Sequence, residues 1–399
     1  MKPIPITDNI YWIGVNDEKT RLFEGLWPIE KEGISYNSYL IKDEKITLID
    51  LCKDMMSDEL IGNIRQLIDP TQISYLIVNH MEPDHSGAIK ALLNAAPQLT
   101  IIGSQKTRKM LDDHFGITEG IQTVADGDTL SLGKHTLLFL STPMVHWPET
   151  MMTFESSTKT LFPCDGFGGY GKLSEGIFDE DYDDLSFYES ESLRYFSNIV
   201  CAFSKPVLNA AAKLEKLDIH IVAPSHGLIW RKDPQRILNL YVQWSQYAKG
   251  TAENGISLIY GSMYGNTQKM VEAVFEGVKQ TGTQVKIFDI TKTHISYILP
   301  ALWTQRGVLI GAPTYEGSLF PTMRQVLEMA LTKRIFHKKA AYFGSYGWSG
   351  GAIRYLKRQL EKLKWELTDT LDFMGQPTTE ELKNGVGFGQ RFAAHIHLE

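Results

Sequence analysis

The chain has 399 residues, 43% hydrophobic and 22% charged, a globular composition that excludes whole-chain disorder and coiled coil. At roughly 100–200 residues per domain the length fits two or three domains. With 40 Lys and Arg against 47 Asp and Glu the formal net charge is −7, which argues against a broad nucleic-acid surface.

No apolar run reaches membrane-spanning length, and Met1-Lys2-Pro3-Ile4-Pro5 has no signal-peptide core, so a cytoplasmic location and no membrane partner are expected. The cysteines are Cys52, Cys164 and Cys201, with no C-x-x-C pair. That excludes a disulfide framework, an iron–sulfur cluster and a rubredoxin module; buried free thiols are expected instead.

Asn9–Val15, Ile34–Lys42 and Lys45–Leu51 read as strands, rich in β-branched and aromatic residues. Ser57–Asp69 has the apolar spacing of a helix, with Ser57 as N-cap and Pro70 past its end. Ile73–Asn79 is a short, nearly continuous apolar run, the pattern of a buried strand, and Ser86–Ala96 follows as a helix. Further strands are expected at His135–Leu140, Met152–Phe154, Lys159–Phe162 and His220–Ala223, and long helices over Ser190–Phe203 and Pro234–Lys249.

The small, polar stretch Lys249-Gly250-Thr251-Ala252-Glu253-Asn254-Gly255 reads as a junction between domains 1–250 and 251–399. Beyond it, strand-like Ile256–Tyr260, Val285–Asp289, Gly307–Gly311 and Lys339–Phe343 alternate with helical Thr267–Thr281, Pro321–Thr332 and Gly351–Leu363. This alternation predicts an α/β domain with a doubly wound parallel sheet.

Directly after Ile73–Asn79 comes His80-Met81-Glu82-Pro83-Asp84-His85, four potential metal ligands within six residues. Residues 80, 82 and 84 alternate, so an extended start turns them to one side. His146, Asp165 and His226 each follow another expected strand, and sites in layered α/β folds gather at strand ends. Three carboxylates brought together would repel one another without a cation. Carboxylate is also a harder donor than imidazole and favours iron or manganese over zinc. Histidines 114, 135, 220, 294, 337, 395 and 397 lack such company. The acidic run Asp179-Glu180-Asp181-Tyr182-Asp183-Asp184 is expected to be a solvated loop rather than a second metal site or docking patch.

In the second half, Ile256–Tyr260 runs into Gly261-Ser262-Met263-Tyr264-Gly265-Asn266-Thr267 and then a helix. Backbone N–H groups and hydroxyls at a helix start cradle phosphate. The loop has no Lys or Arg, so it is neither a Walker loop nor a G-x-G-x-x-G turn; it suits the terminal monophosphate of FMN. Two further strand ends, Pro313-Thr314-Tyr315-Glu316-Gly317 and Ser345-Tyr346-Gly347-Trp348-Ser349-Gly350, mix glycine with aromatics able to stack on a flat ring.

The set H-x-E-x-D-H, His146, Asp165 and His226 resembles the metallo-β-lactamase-like domain of flavodiiron proteins. Ordinary members of that superfamily read H-x-H-x-D-H and commonly bind zinc; Glu82 stands here in place of the second histidine. The second half resembles flavodoxin, its loops matching that family's phosphate loop and two ring-binding loops. The resemblance implies an αββα sandwich followed by a flavodoxin-like domain, with FMN and two non-haem irons as cofactors. It implies one iron held by His80, Glu82 and His146, the other by Asp84, His85 and His226, with Asp165 bridging, although some relatives do not use the residue matching His85. It further implies reduction of dioxygen to water and/or nitric oxide to nitrous oxide, with electrons passing through FMN from a separate donor such as a rubredoxin or a reduced deazaflavin. Two electrons on FMN and two on the iron pair match the four needed for dioxygen. A head-to-tail homodimer, or a dimer of dimers, would bring the FMN of one chain to the irons of the other. The short form, without an added rubredoxin or flavin-reductase module, is expected. The competing readings are a dinuclear-metal hydrolase with a passenger flavodoxin domain and a non-catalytic FMN electron carrier.

Overall fold

The computed structural model describes residues 2–250 and 252–397; Met1 and the Thr251 of the expected junction lie outside the described residues. The chain divides into two compact units, Met1–Ser245 and Gln246–Glu399. No helix among the described residues is long and apolar enough to cross a membrane.

In the first unit the buried apolar runs Ile46–Ile49, Ile73–Ile77 and Thr100–Gly103 pair in parallel. They form the middle of a seven-stranded sheet that runs from Ile4–Pro5 to Ile121–Thr123. A second sheet of five strands contains Thr136–Ser141, Met151–Glu155, Thr160–Phe162 and Ile221–Val222. The sheets meet through Tyr39 and Phe162, whose ring centres are 5.0 Å apart. Asn79 joins them too, its carbonyl accepting from Met151 N at 3.0 Å and its side-chain oxygen from the Thr153 hydroxyl at 2.7 Å.

Several expected elements are interrupted where polar side chains take backbone partners. The strand expected over Ile34–Lys42 breaks into Ile34–Tyr36 and Tyr39–Ile41. Between them Asn37 donates to the carbonyls of Pro224 and Gly227, and Ser38 to that of Asp50. The break thereby ties the first sheet to the loop that carries His226. Ser57 does not cap its helix: it is the first residue of Ser57–Arg65, and its hydroxyl donates to Asp54 O. That helix stops before Asp69, which caps the short turn Pro70–Gln72 by accepting from Thr71 N. The helix expected over Ser86–Ala96 is two pieces, Pro83–Ser86 and Ile89–Ala95. Gly87 lies between them, where a Cβ would stand 2.5 Å from Pro83 O and 2.6 Å from Asp54 N. The helix Ser186–Tyr195 continues through a π turn, Phe196–Val200, and a 3-10 turn into Ser204–Leu214. Pro206 falls in the first turn of that last helix, where its missing N–H costs nothing.

The second unit is a five-stranded parallel sheet in the order Gln284–Asp289, Glu253–Tyr260, Gln305–Gly311, Lys339–Tyr346, Glu366–Met374. This is the flavodoxin-type 2-1-3-4-5 order, whose switch point lies between the first and third strands. Ile256, Leu258 and Leu309 from the sheet pack with Val274, Phe388 and Phe392 from helices Asn266–Lys279 and Thr379–Ile396. The latter helix was not foreseen, although Thr378 and Glu381 form a capping box at its start. The edge strand Glu366–Met374 was also missed; its sequence, Glu-Leu-Thr-Asp-Thr-Leu-Asp-Phe-Met, carries polar side chains at five of nine positions.

Candidate metal centre and flavin cavity

The seven ligand candidates arrive on short loops beyond strand ends. His80 and Glu82 follow Ile73–Ile77, and Asp84 and His85 open the turn Pro83–Ser86. His146 lies between Thr136–Ser141 and Met151–Glu155, Asp165 follows Thr160–Phe162, and His226 follows Ile221–Val222. They converge as two groups: in His80, Glu82, His146 and Asp165, and again in Asp84, His85 and His226, the donor atoms lie within 4.8 Å of one another. Asp165 joins the groups. Its Oδ2 is 3.4 Å from His80 Nε2 and 3.2 Å from His146 Nε2. Its Oδ1 is 2.9 Å from His85 Nε2 and 3.2 Å from His226 Nε2. Met144 and Cys164, beside two of these ligands, hold φ of +67° and +53°, the local strain that functional loops tolerate.

The donor set fits a cationic metal pair. Both oxygens of Asp84 and of Asp165, and the Nε2 atoms of His85, His146 and His226, are buried without a hydrogen-bond partner. His226 Nδ1 lies 2.7 Å from the Ser35 carbonyl, which only accepts, so in the neutral ring Nδ1 carries the proton and Nε2 turns a lone pair toward two carboxylates. Lone pairs facing lone pairs in a dry site need a cation between them. In its absence protons take that place. Burial opposes the charged form of each ring, yet the facing carboxylates raise His80 and His226 to about 10 and His85 and His146 to about 9. Cys164 Sγ also approaches His85 and Asp165, but burial pushes its thiol far up and it accepts from the Ser225 hydroxyl, so it is no thiolate donor.

Aromatic rings wall the centre. Phe23, Tyr36 and Tyr195 surround His226 at 5.7, 5.6 and 5.5 Å, and Trp147 lies 5.1 Å from His80. A 420 Å³ cavity lined by Phe23, Glu24, Lys53, Glu82, Pro83 and Asp84 opens onto it. The Glu24 residue is exposed as a whole, but burial of its carboxyl and the neighbouring Glu82 raise it to about 7, against the pull of His146 and the Trp27 N–H.

Sequence reasoning missed Glu149. Its Oε1 lies 2.6 Å from His80 Nδ1 and accepts from Met81 N at 2.9 Å. Nothing in Pro148-Glu149-Thr150 marks this role, since Glu149 reaches His80 across 69 residues of sequence. The acidic run is partly structural rather than a wholly solvated loop. Asp179 is buried and accepts from the N–H groups of Arg231, Lys232 and Asp233, and Asp181 accepts from those of Ile177 and Phe178. Cys52, Cys164 and Cys201 are buried and joined by no disulfide among the described residues.

In the second unit the three predicted loops surround one cavity of 370 Å³. Ser262, Met263, Tyr264, Asn266, Thr267, Pro313, Thr314, Tyr315, Glu316, Ser345, Tyr346, Gly347 and Trp348 line it, joined by Gly375, which was not foreseen. Gly265, Gly317, Ser349 and Gly350 do not line it directly. Gly265 instead shapes the loop: at φ +87° it precedes the helix Asn266–Lys279, and its N–H donates to Ser262 Oγ. Thr267 and Ser345 share a hydrogen bond of 2.9 Å, locking the first loop to the third. No Lys or Arg lines the cavity, so an anion there meets backbone N–H groups and hydroxyls at a helix start, the cradle a terminal phosphate needs. Tyr264 and Trp348 are each 91% exposed. They are therefore not core packing, and their rings are available to a planar ligand.

Residues 34–227 match the family model of the ODP family beta lactamase, and residues 258–388 match that of flavodoxin. The chain is 33% identical to a nitric oxide reductase of Moorella thermoacetica, covering 99% of both chains. It is 34% identical to the anaerobic nitric oxide reductase flavorubredoxin of Escherichia coli K12, over 95% of this chain and 80% of that one. Among solved structures it resembles rubredoxin oxygen:oxidoreductase from Desulfovibrio gigas, with TM-score 0.93, 29% identity and 99% of each chain covered. It also resembles the flavodiiron protein from Giardia intestinalis, with TM-score 0.94 and 26% identity over 100% of this chain and 97% of that one.

Proposed function

The chain belongs to the flavodiiron proteins, and from that premise we propose that it reduces a diatomic gas, dioxygen to water and/or nitric oxide to nitrous oxide, at seven ligands. His80, Glu82 and His146 would hold one iron and Asp84, His85 and His226 the other, with Asp165 shared between the two groups. The observation that carries this is the pair of donor groups joined through Asp165, with both oxygens of Asp84 and Asp165 and the Nε2 atoms of His85, His146 and His226 buried and without a hydrogen-bond partner among the described residues. When bound, the iron pair supplies a redox-active Lewis acid and FMN a two-electron store.

The chain's own residues do the rest. Glu82, Asp84 and Asp165 supply negative charge that favours the higher oxidation state. The Ser35 carbonyl sets the His226 tautomer so that Nε2 faces inward. Phe23, Tyr36, Tyr195 and Trp147 keep bulk water from the centre, while the opening past Phe23 and Lys53 suits a small uncharged substrate. In the second unit Ser262, Asn266 and Thr267 would receive the FMN phosphate, and Tyr264, Tyr315, Tyr346 and Trp348, which line the same cavity, would offer rings to the flavin. The names of the relatives support a separate electron donor, for which we favour a rubredoxin, with a reduced deazaflavin as the other candidate. Family membership also supports a head-to-tail homodimer.

Metal analysis with anaerobic stopped-flow mixing tests this reading. Purified protein should carry an iron pair per chain, and the pre-reduced form should reoxidise rapidly with one or both gases. Zinc at the site, or reduced protein inert to both gases, would overturn it.

A further inference from the structure

The two ligand groups are alike in composition but not in what stands behind them. On one side His80 Nδ1 meets a carboxylate, Glu149 Oε1, at 2.6 Å. Glu149 is 2% exposed and fixed in place, since the same oxygen accepts from Met81 N and its own carbonyl accepts from Ser104 Oγ at 3.0 Å. On the other side His226 Nδ1 meets a neutral carbonyl, Ser35 O, and His85 Nδ1 is buried with no hydrogen-bond partner among the described residues.

A hydrogen bond from a ligand imidazole to a carboxylate orients the ring and draws its proton away. The opposite nitrogen becomes a stronger donor, and such partners are typically worth about 10–100-fold in metal affinity. A carbonyl acts more weakly, and a ring nitrogen with no partner adds nothing.

We propose that Glu149 is a positioning residue that makes the two metal positions unequal: through His80 it holds the ion of the His80, Glu82 and His146 group more tightly than Asp84, His85 and His226 hold theirs. The proposal rests on the iron-pair reading above and adds an order of metal release to it.

The test is chelator challenge of the oxidised holoprotein, with released iron followed against time and FMN absorbance recorded alongside. Wild type should release iron in two phases. Glu149→Gln keeps the shape and the accepting oxygen but removes the charge. It should speed the slow phase by about 10–100-fold and leave the fast phase and the FMN content unchanged. Glu149→Asp, which restores the charge, should recover part of the slow phase. A single release phase in wild type, or a Glu149→Gln profile that matches wild type, would overturn the inference. Wild type that purifies with zinc, or without a metal pair, would instead sink the functional reading itself, so the two failures are distinguishable. Because the two-phase release is read on unaltered protein, the inference stays exposed to refutation even if the variant fails to fold.

Discussion

The two units handle charge in opposite ways. The first gathers three carboxylates and four imidazoles into two adjoining donor groups, where the facing imidazoles hold Asp165 well below the usual carboxylate range and the facing carboxylates raise His80. The second builds its site from neutral hydroxyls, backbone N–H groups and exposed rings. Where the second unit does bury a cation, at Lys338, no carboxylate among the described residues stands within ion-pair distance. Its Nζ instead donates to the carbonyls of Trp303 and Gln305 at 2.8 and 2.7 Å. Burial then pushes its pKa down to about 7, against the pull of Glu253 and with a further push from Arg306. A buried charge survives where an opposite charge faces it and is otherwise neutralised. The metal centre meets the first condition, and so does the buried pair of Arg194 and Glu191, whose Nη2 and Oε2 lie 2.5 Å apart.

The contrast can be broken most forcefully at Asp165, whose two oxygens reach histidines of both donor groups. Asp165→Ala should lower gas reduction on the order of 10³-fold or more and deplete iron, while FMN stays bound in full; iron and flavin analysis beside turnover assays decides it. Loss of FMN together with iron would mean that the two sites are not built independently.

Lys338 sharpens the contrast from the other side. Between about pH 7 and its ordinary value of 10.5, the unfolded chain holds a proton that the folded one does not, so stability rises with pH across that window and levels off above it. The gain should approach about 5 kcal/mol and be absent in Lys338→Met. Urea unfolding followed through flavin release at several pH values reads it, and equal pH slopes in the two proteins would contradict the expectation.

The smallest effect is expected at Gly265. A β-branched residue is strained at φ +87°, so Gly265→Val should weaken FMN binding about tenfold with iron content untouched. Flavin titration of the apoprotein measures it.

The clustering of the candidate metal ligands was legible because the chemistry requires particular residue types at strand ends, and H-x-E-x-D-H packs four of them into six positions. The flavin loops were legible for a similar reason: glycine, hydroxyl and aromatic residues stand where strands of an alternating pattern must stop. Elements whose form depends on remote partners were harder to read. Asn37 and Ser38 look like part of one strand until Pro224, Gly227 and Asp50 claim their side chains. The edge strand Glu366–Met374 lacks the apolar run that marks a buried one.

The order of residue types along the chain thus determined the fold class and marked the seven ligand candidates and the candidate phosphate loop, because periodicity and ligand chemistry are local properties. Only the tertiary structure decided what stands behind each ligand. Glu149 reaches His80, and Ser35 reaches His226, across 69 and 191 residues. Such contacts are set by how sheets and loops pack, and no spacing rule within the chain encodes them.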